Sequence, residues 1–250
     1  MLQKSLLLLI FPSLTFFHVS AQNDRSANDA EKAVINKAVN IIAPIIDGFQ
    51  NDTWQKDEGG TDAPEDYSVQ AHPDNPIRVA PFNDWHFTIR PGSDFYNKNI
   101  KAYYDKMNGG SLDANDSKAM EQLVKEGQKV KDMSNIYVEV HVNDINIPVR
   151  PLKNNSLDLK IPGCYFSYKQ SADKLIGTDR NAPDSYVLVF GNWSTASARA
   201  AYGDYGFKFT HPKSSPFIEN IVIIISGNND RIKELLKETN WQKVNEGLSL

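Results

Sequence analysis

The stretch Ile136-Tyr137-Val138-Glu139-Val140-His141-Val142 decides the fold. Successive side chains of a strand point to opposite faces, so Val138, Val140 and Val142 share one side and Tyr137, Glu139 and His141 the other. An apolar side backed by a polar one predicts a strand of an antiparallel sheet, packed on one face and open to water on the other. Tyr186 to Phe190 and Ile221 to Ile225 are apolar throughout, which predicts central strands covered on both faces. Shorter strands are expected at Trp85 to Arg90, Ile147 to Val149, Leu157 to Ile161 and Tyr165 to Lys169, with room for another at Tyr67 to Ala71.

Helical spacing surrounds these runs. From Asn28 to Ala43 the apolar residues Ala30, Val34, Ala38, Ile35, Val39 and Ile42 fill two adjacent stripes, a face broad enough to need burial. Pro44 should end or kink that helix, because it lacks an N–H and crowds the carbonyl four residues back. A second helix is expected from Ser93 or Asp94, with Tyr96, Ile100, Tyr103 and Met107 on one face, stopping at Gly109-Gly110. A third begins near Asp116 or Ser117 and carries Met120, Leu123, Val124 and Val130. Gly227-Asn228-Asn229 opens a fourth, with Ile232, Leu235 and Leu236 inward. Thr239 and Gln242 have capping-box spacing before a last turn holding Trp241, Val244 and Leu248.

Elements grouped in this way predict an α+β fold, a mainly antiparallel sheet with N-terminal, middle and C-terminal helices packed on it. The segment 47–76 is the exception. Seven carboxylates from Asp47 to Asp66 face only Lys56, and Gly59-Gly60 and three prolines break any period, so it reads as a long acidic irregular connection. Trp54-Gln55-Lys56 recurs as Trp241-Gln242-Lys243, but the flanks differ and no duplication is inferred.

The 250 residues begin with the pattern of a secretory signal: Lys4, an apolar run from Ser5 to Phe17, then Val19-Ser20-Ala21 as a small-residue cleavage site. The run is interrupted by Pro12 and falls short of the ~20 residues that span a bilayer. We therefore expect a signal peptide at 1–21 and one globular domain at 22–250, exported to a periplasm or secreted, with no membrane insertion after cleavage. The segment 1–21 contains one of the 27 basic residues and none of the 31 acidic ones, which leaves the remainder acidic by five charges. No basic run is present, so nucleic acid is not an expected partner. Cys164 is the only cysteine, which excludes an intrachain disulfide. Its apolar setting predicts an inert, buried thiol.

No nucleophile elbow, phosphate loop, dinucleotide fingerprint or zinc-binding His-Glu-x-x-His is present, and no cofactor is expected. Asp57, Glu58, Asp62, Glu65 and Asp66 could wrap a hard cation, although an acidic loop is more often simply solvated. Four Asn-x-Ser/Thr triplets, at Asn51, Asn115, Asn154 and Asn192, are near the number chance provides. Two clusters are left as candidate sites. His86 shares a strand face with Thr88 and Arg90 and has Asp84 nearby, a set suited to general acid–base work in a hydrolase-like or metal-assisted enzyme. Trp193, Arg199, Tyr202 and Tyr205 surround a Gly-rich loop whose rings could stack on a sugar or anchor a protein partner. The leading expectation is a non-enzymatic protein that binds a small ligand or a protein partner through the second cluster. An enzyme centred on His86 and a structural envelope component are the alternatives.

Overall fold

The computed structural model describes residues 24–59, 67–70, 78–109, 117–144, 146–148, 159–170, 184–194, 197–199, 204–212 and 216–249. The alternating stretch forms β5 (Asn135–Val142), in which Ile136, Val138, Val140 and Val142 are buried. Against it on one side lies β4 (Arg78–Ile89) and on the other β11 (Asn220–Gly227), followed by β8 (Ser185–Gly191) and, at the edge, β7 (Phe166–Gln170). Beyond β4 come β3 (Ser68–Gln70) and β1 (Asp24–Ser26), and β2 (Trp54–Gly59) also pairs with β4. Every pairing is antiparallel. The two apolar runs are central strands covered on both faces, with Leu188, Phe190, Ile223 and Ile225 on the core side and Val187, Val189 and Val222 in an apolar cluster on the other. A separate small sheet joins β6 (Asn146–Pro148), β10 (Asp204–Gly206) and β9 (Ser197–Arg199).

One face of the large sheet carries Trp85, Phe87, Val138, Val140, Ile223, Ile225, Leu188 and Phe190 into an apolar core that runs from Ala27 to Leu248. Helix α1 (Asp29–Asp47) contributes Ile35, Ala38, Ile42 and Ile46, and α5 (Asn229–Glu238) contributes Ile232, Leu235 and Leu236. A final 3₁₀ turn (Trp241–Gly247) adds Trp241 and Val244. Each buried isoleucine or leucine contributes roughly 1.5–3 kcal/mol by leaving water. The remaining helices are α2 (Asp94–Asn99), α3 (Lys101–Asn108) and α4 (Ser117–Ser134), the last running directly into β5. The α+β class follows. Among the described residues, no helix is long and apolar enough to cross a membrane.

Several local expectations need correction. Helix α1 continues through Pro44 to Asp47, and the Gly48 N–H still reaches the Pro44 carbonyl at 3.2 Å. Burial of Ile42 and Ile46 on either side of the proline outweighs its lost hydrogen bond. The acidic connection contains β2, stabilised by pairing with β4 across a bulge between Lys56 and Glu58. The helix expected from Ser93 to Gly109 divides at Ile100, whose side chain is 1% exposed. Residues Leu159 to Ile161 are not in a strand, although the Leu159 N–H bonds the Ser167 carbonyl. The last turn is entered from Asn240 with no side-chain cap, so the Thr239/Gln242 capping box does not form. Cys164 is half-buried at the core margin.

Candidate functional site

Trp85, Phe87 and Ile89 take the core side of β4, so Asp84, His86 and Thr88 take the outer side by period. The bulge in β2 brings Asp57 to this face, and His86 Nδ1 lies 3.2 Å from Asp57 Oδ2. The imidazole stacks on Tyr137 of β5 with centroids 4.5 Å apart and planes 2° from parallel. Its Nε2 is 2.8 Å from Asn135 Oδ1. Asn135 Nδ2 donates to the Lys131 carbonyl at 2.7 Å and to Ser134 Oγ at 3.1 Å, which fixes the amide so that Oδ1 is the acceptor and His86 Nε2 the donor. His86 is thus held through Nε2, with the Asp57 carboxylate beside Nδ1 and a side chain only 16% exposed.

Asp84 stands exposed opposite Glu139 of β5. Arg90 turns away to the Asn51 carbonyl, 3.4 Å from its guanidinium, and is not brought to His86. Glu139 is bonded to His141 Nε2 at 3.3 Å, a contact that holds the Glu139 carboxyl below the usual carboxylate range. No group of three or more His, Cys, Asp or Glu side chains able to hold a metal ion occurs among the described residues. Most of the acidic cation candidates, Asp62, Glu65 and Asp66, lie outside those residues, as do His72, Asn115 and Asn154.

Around Trp193 the arrangement is different. Its ring is 3% exposed, its Nε1 donates to the Phe190 carbonyl at 3.1 Å, and Phe207 meets it edge-on at 4.6 Å. With Tyr168, Val187, Val189 and Val222 it forms a second apolar cluster on the outer face of the sheet, at the end opposite to His86. Arg199 and Tyr205 supply backbone to β9 and β10, where Asp204 pairs with Arg199 and Tyr205 with Ala198. Their side chains, and the whole of Tyr202, lie outside the described residues. Trp193 therefore caps the sheet and presents no free face to a ligand.

Beside His86 the chain forms a pocket of about 380 Å³, between the ends of β4 and β5 and the α2–α3 pair. Thr88 and Asn135 form its polar wall, Ile100 its floor, and Tyr96 and Tyr104 its aromatic side, with Asn108 at the end of α3. The two tyrosine rings are 15° from parallel with centroids 6.4 Å apart, and Tyr104 is 43% exposed. Among the described residues, none that lines this pocket is charged. Two other cavities differ in kind. One of about 500 Å³ between α1 and α5 is edged by Arg231, Lys243, Glu238 and Glu246, and Arg231 is already paired with Glu234 and Glu238 at 3.1 and 3.2 Å. Another of about 340 Å³ lies at Cys164 and Tyr165.

The residues that sequence reasoning did not mark as site residues are Tyr96, Tyr104, Asn135 and, as a partner of His86, Asp57. A tyrosine-rich helix directly after a strand ending in Pro91-Gly92 was the available signal. Compared with known protein families, characterised proteins and solved structures, the chain matches none.

Proposed function

We propose that the protein binds a small ligand without transforming it, in the pocket between the β4–β5 ends and the α2–α3 pair. The observation that carries this reading is a pocket, uncharged among its described lining residues, that joins two tyrosine rings to a polar wall already locked by the His86–Asn135–Ser134 hydrogen bonds. Binding sites combine apolar and aromatic surface with a few fixed polar groups, and a wall held from behind loses little freedom when a ligand arrives. Hydrolase-like chemistry at His86 is the weaker reading, since Nε2 is engaged by Asn135 and the ring is largely covered.

A small-molecule thermal-shift screen tests the proposal, because a ligand that prefers the native state raises its melting temperature. Hits should stabilise the wild-type protein and lose their effect in Tyr104→Ala, while Tyr165→Ala, at the separate Cys164 cavity, responds as the wild type. Hits that shift both variants equally would place binding elsewhere.

Export is part of the same proposal and rests on the residues at 1–21. Intact mass of protein recovered from outside the cytoplasm should correspond to a chain beginning at Gln22. Recovery of only the uncleaved chain would overturn it.

A further inference from the structure

We infer that the pocket selects a neutral polyhydroxylated ring, the chemistry of a pyranose sugar, over charged metabolites of the same size; this rests on the binding reading above. Nearly a quarter of the chain is charged, yet among the described residues no charged one lines the pocket. A carboxylate or phosphate entering it would lose hydration without meeting a counter-charge, a cost that an uncharged ligand does not incur. The polar groups at the wall and rim are hydroxyls and amides: Thr88, Asn108 and the phenols of Tyr96 and Tyr104. Such groups both donate and accept, and sugar hydroxyls do the same.

Ring geometry narrows the class further. A planar ligand held between two rings needs about 7 Å, two van der Waals contacts of about 3.5 Å each. Tyr96 and Tyr104 are closer than that, at 6.4 Å and 15° from parallel, so a flat base does not fit between them. The exposed part of the Tyr104 ring suits the C–H face of a pyranose, whose opposite face and edge hydroxyls stay in water. A volume of about 380 Å³ lies at the small end of ligand pockets, fit for one or two sugar rings.

Saturation-transfer NMR and calorimetry on the full chain test the inference, with methyl glucoside, methyl galactoside and a neutral disaccharide as probes. Glucuronate, glucose 6-phosphate and adenosine serve as the charged and planar counterparts. The neutral sugars should bind and compete with one another, and the charged pair should bind at least ~10-fold more weakly. Tyr104→Ala should weaken the neutral sugars about tenfold, and Tyr104→Trp should retain them. If glucuronate, the phosphate ester or adenosine binds as well and loses affinity in Tyr104→Ala, the sugar assignment falls and the pocket stands as a binding site. If no small molecule responds to Tyr104→Ala in either experiment, both fall.

Discussion

Asn135 joins three parts of the molecule. Its side chain links His86 on β4 to the end of α4, and its carbonyl accepts the Asn228 N–H at the start of α5. Gly227 passes so close to that carbonyl, at φ +121°, that an added Cβ would collide with it. Gly227→Ala should therefore destabilise the fold by about 1–3 kcal/mol in urea unfolding, a combined cost of backbone strain and displacement of Asn135. An unchanged midpoint would show that the β11–α5 turn relaxes freely. Glu219 is a second residue whose role is measurable. Its side chain is 7% exposed and accepts from the Thr210 N–H and hydroxyl and from the His211 N–H, with His211 Nδ1 3.0 Å away. Burial pushes its pKa up, but the bonds from Thr210 and His211 outweigh that and hold it below 4.5. A carboxylate with a depressed folded pKa stabilises the fold above its unfolded pKa, and this stability is lost as pH falls through the folded value. Glu219→Gln should thus be clearly less stable than wild type at pH 7, and the gap should narrow as the pH falls through and below 4.5. A gap constant with pH would show that the carboxylate charge contributes nothing.

At the scale of elements, α1 shows how local and tertiary forces divide the work. Asn28 Oδ1 accepts from the Glu31 N–H at 3.0 Å, and Glu31 returns a bond to the Asn28 N–H at 2.9 Å while Arg25 holds both its carboxylate oxygens. Asn28→Ala should cost about 1 kcal/mol, whereas Ile42→Ala, at a fully buried site, should cost about 2–5 kcal/mol. Chemical denaturation of both variants checks the ranking, and a larger loss from the cap would invert it. The same contrast explains what could be read in advance. β5, β8 and β11 were legible because their apolar periods follow directly from which faces are covered. β2 was not, since Trp54 is the only apolar residue in Trp54-Gln55-Lys56-Asp57-Glu58-Gly59 and its strand exists through pairing with a distant partner. The division at Ile100 was hidden because no glycine or proline marks it; it shows only in the backbone, which departs to φ −118° at that residue. His86 was visible from the alternation of β4, but its partners Asp57 and Asn135 come from segments 29 and 49 residues away along the chain, which no local pattern connects.

The whole molecule is closed by its last turn. Trp241, Val244 and Leu248 are each at most 4% exposed, the Leu248 carbonyl accepts from Lys37 Nζ, and Ser249 donates its N–H to the Ile218 carbonyl at 2.7 Å. Deleting residues 241–250 should remove several kcal/mol of apolar burial and abolish cooperative thermal unfolding. A truncated chain that still melts in one sharp transition would contradict this. The sheet order carries a further consequence, one of timing. β11 lies between β5 and β8, so the middle of the sheet is filled by one of the last strands to be synthesised. A ribosome adds residues at roughly 5–20 per second, so the chain spends about 2–7 seconds with β5 and β8 made but not bridged. Until residue 227 has emerged, the strand that bridges β5 and β8 is missing and the sheet cannot be completed.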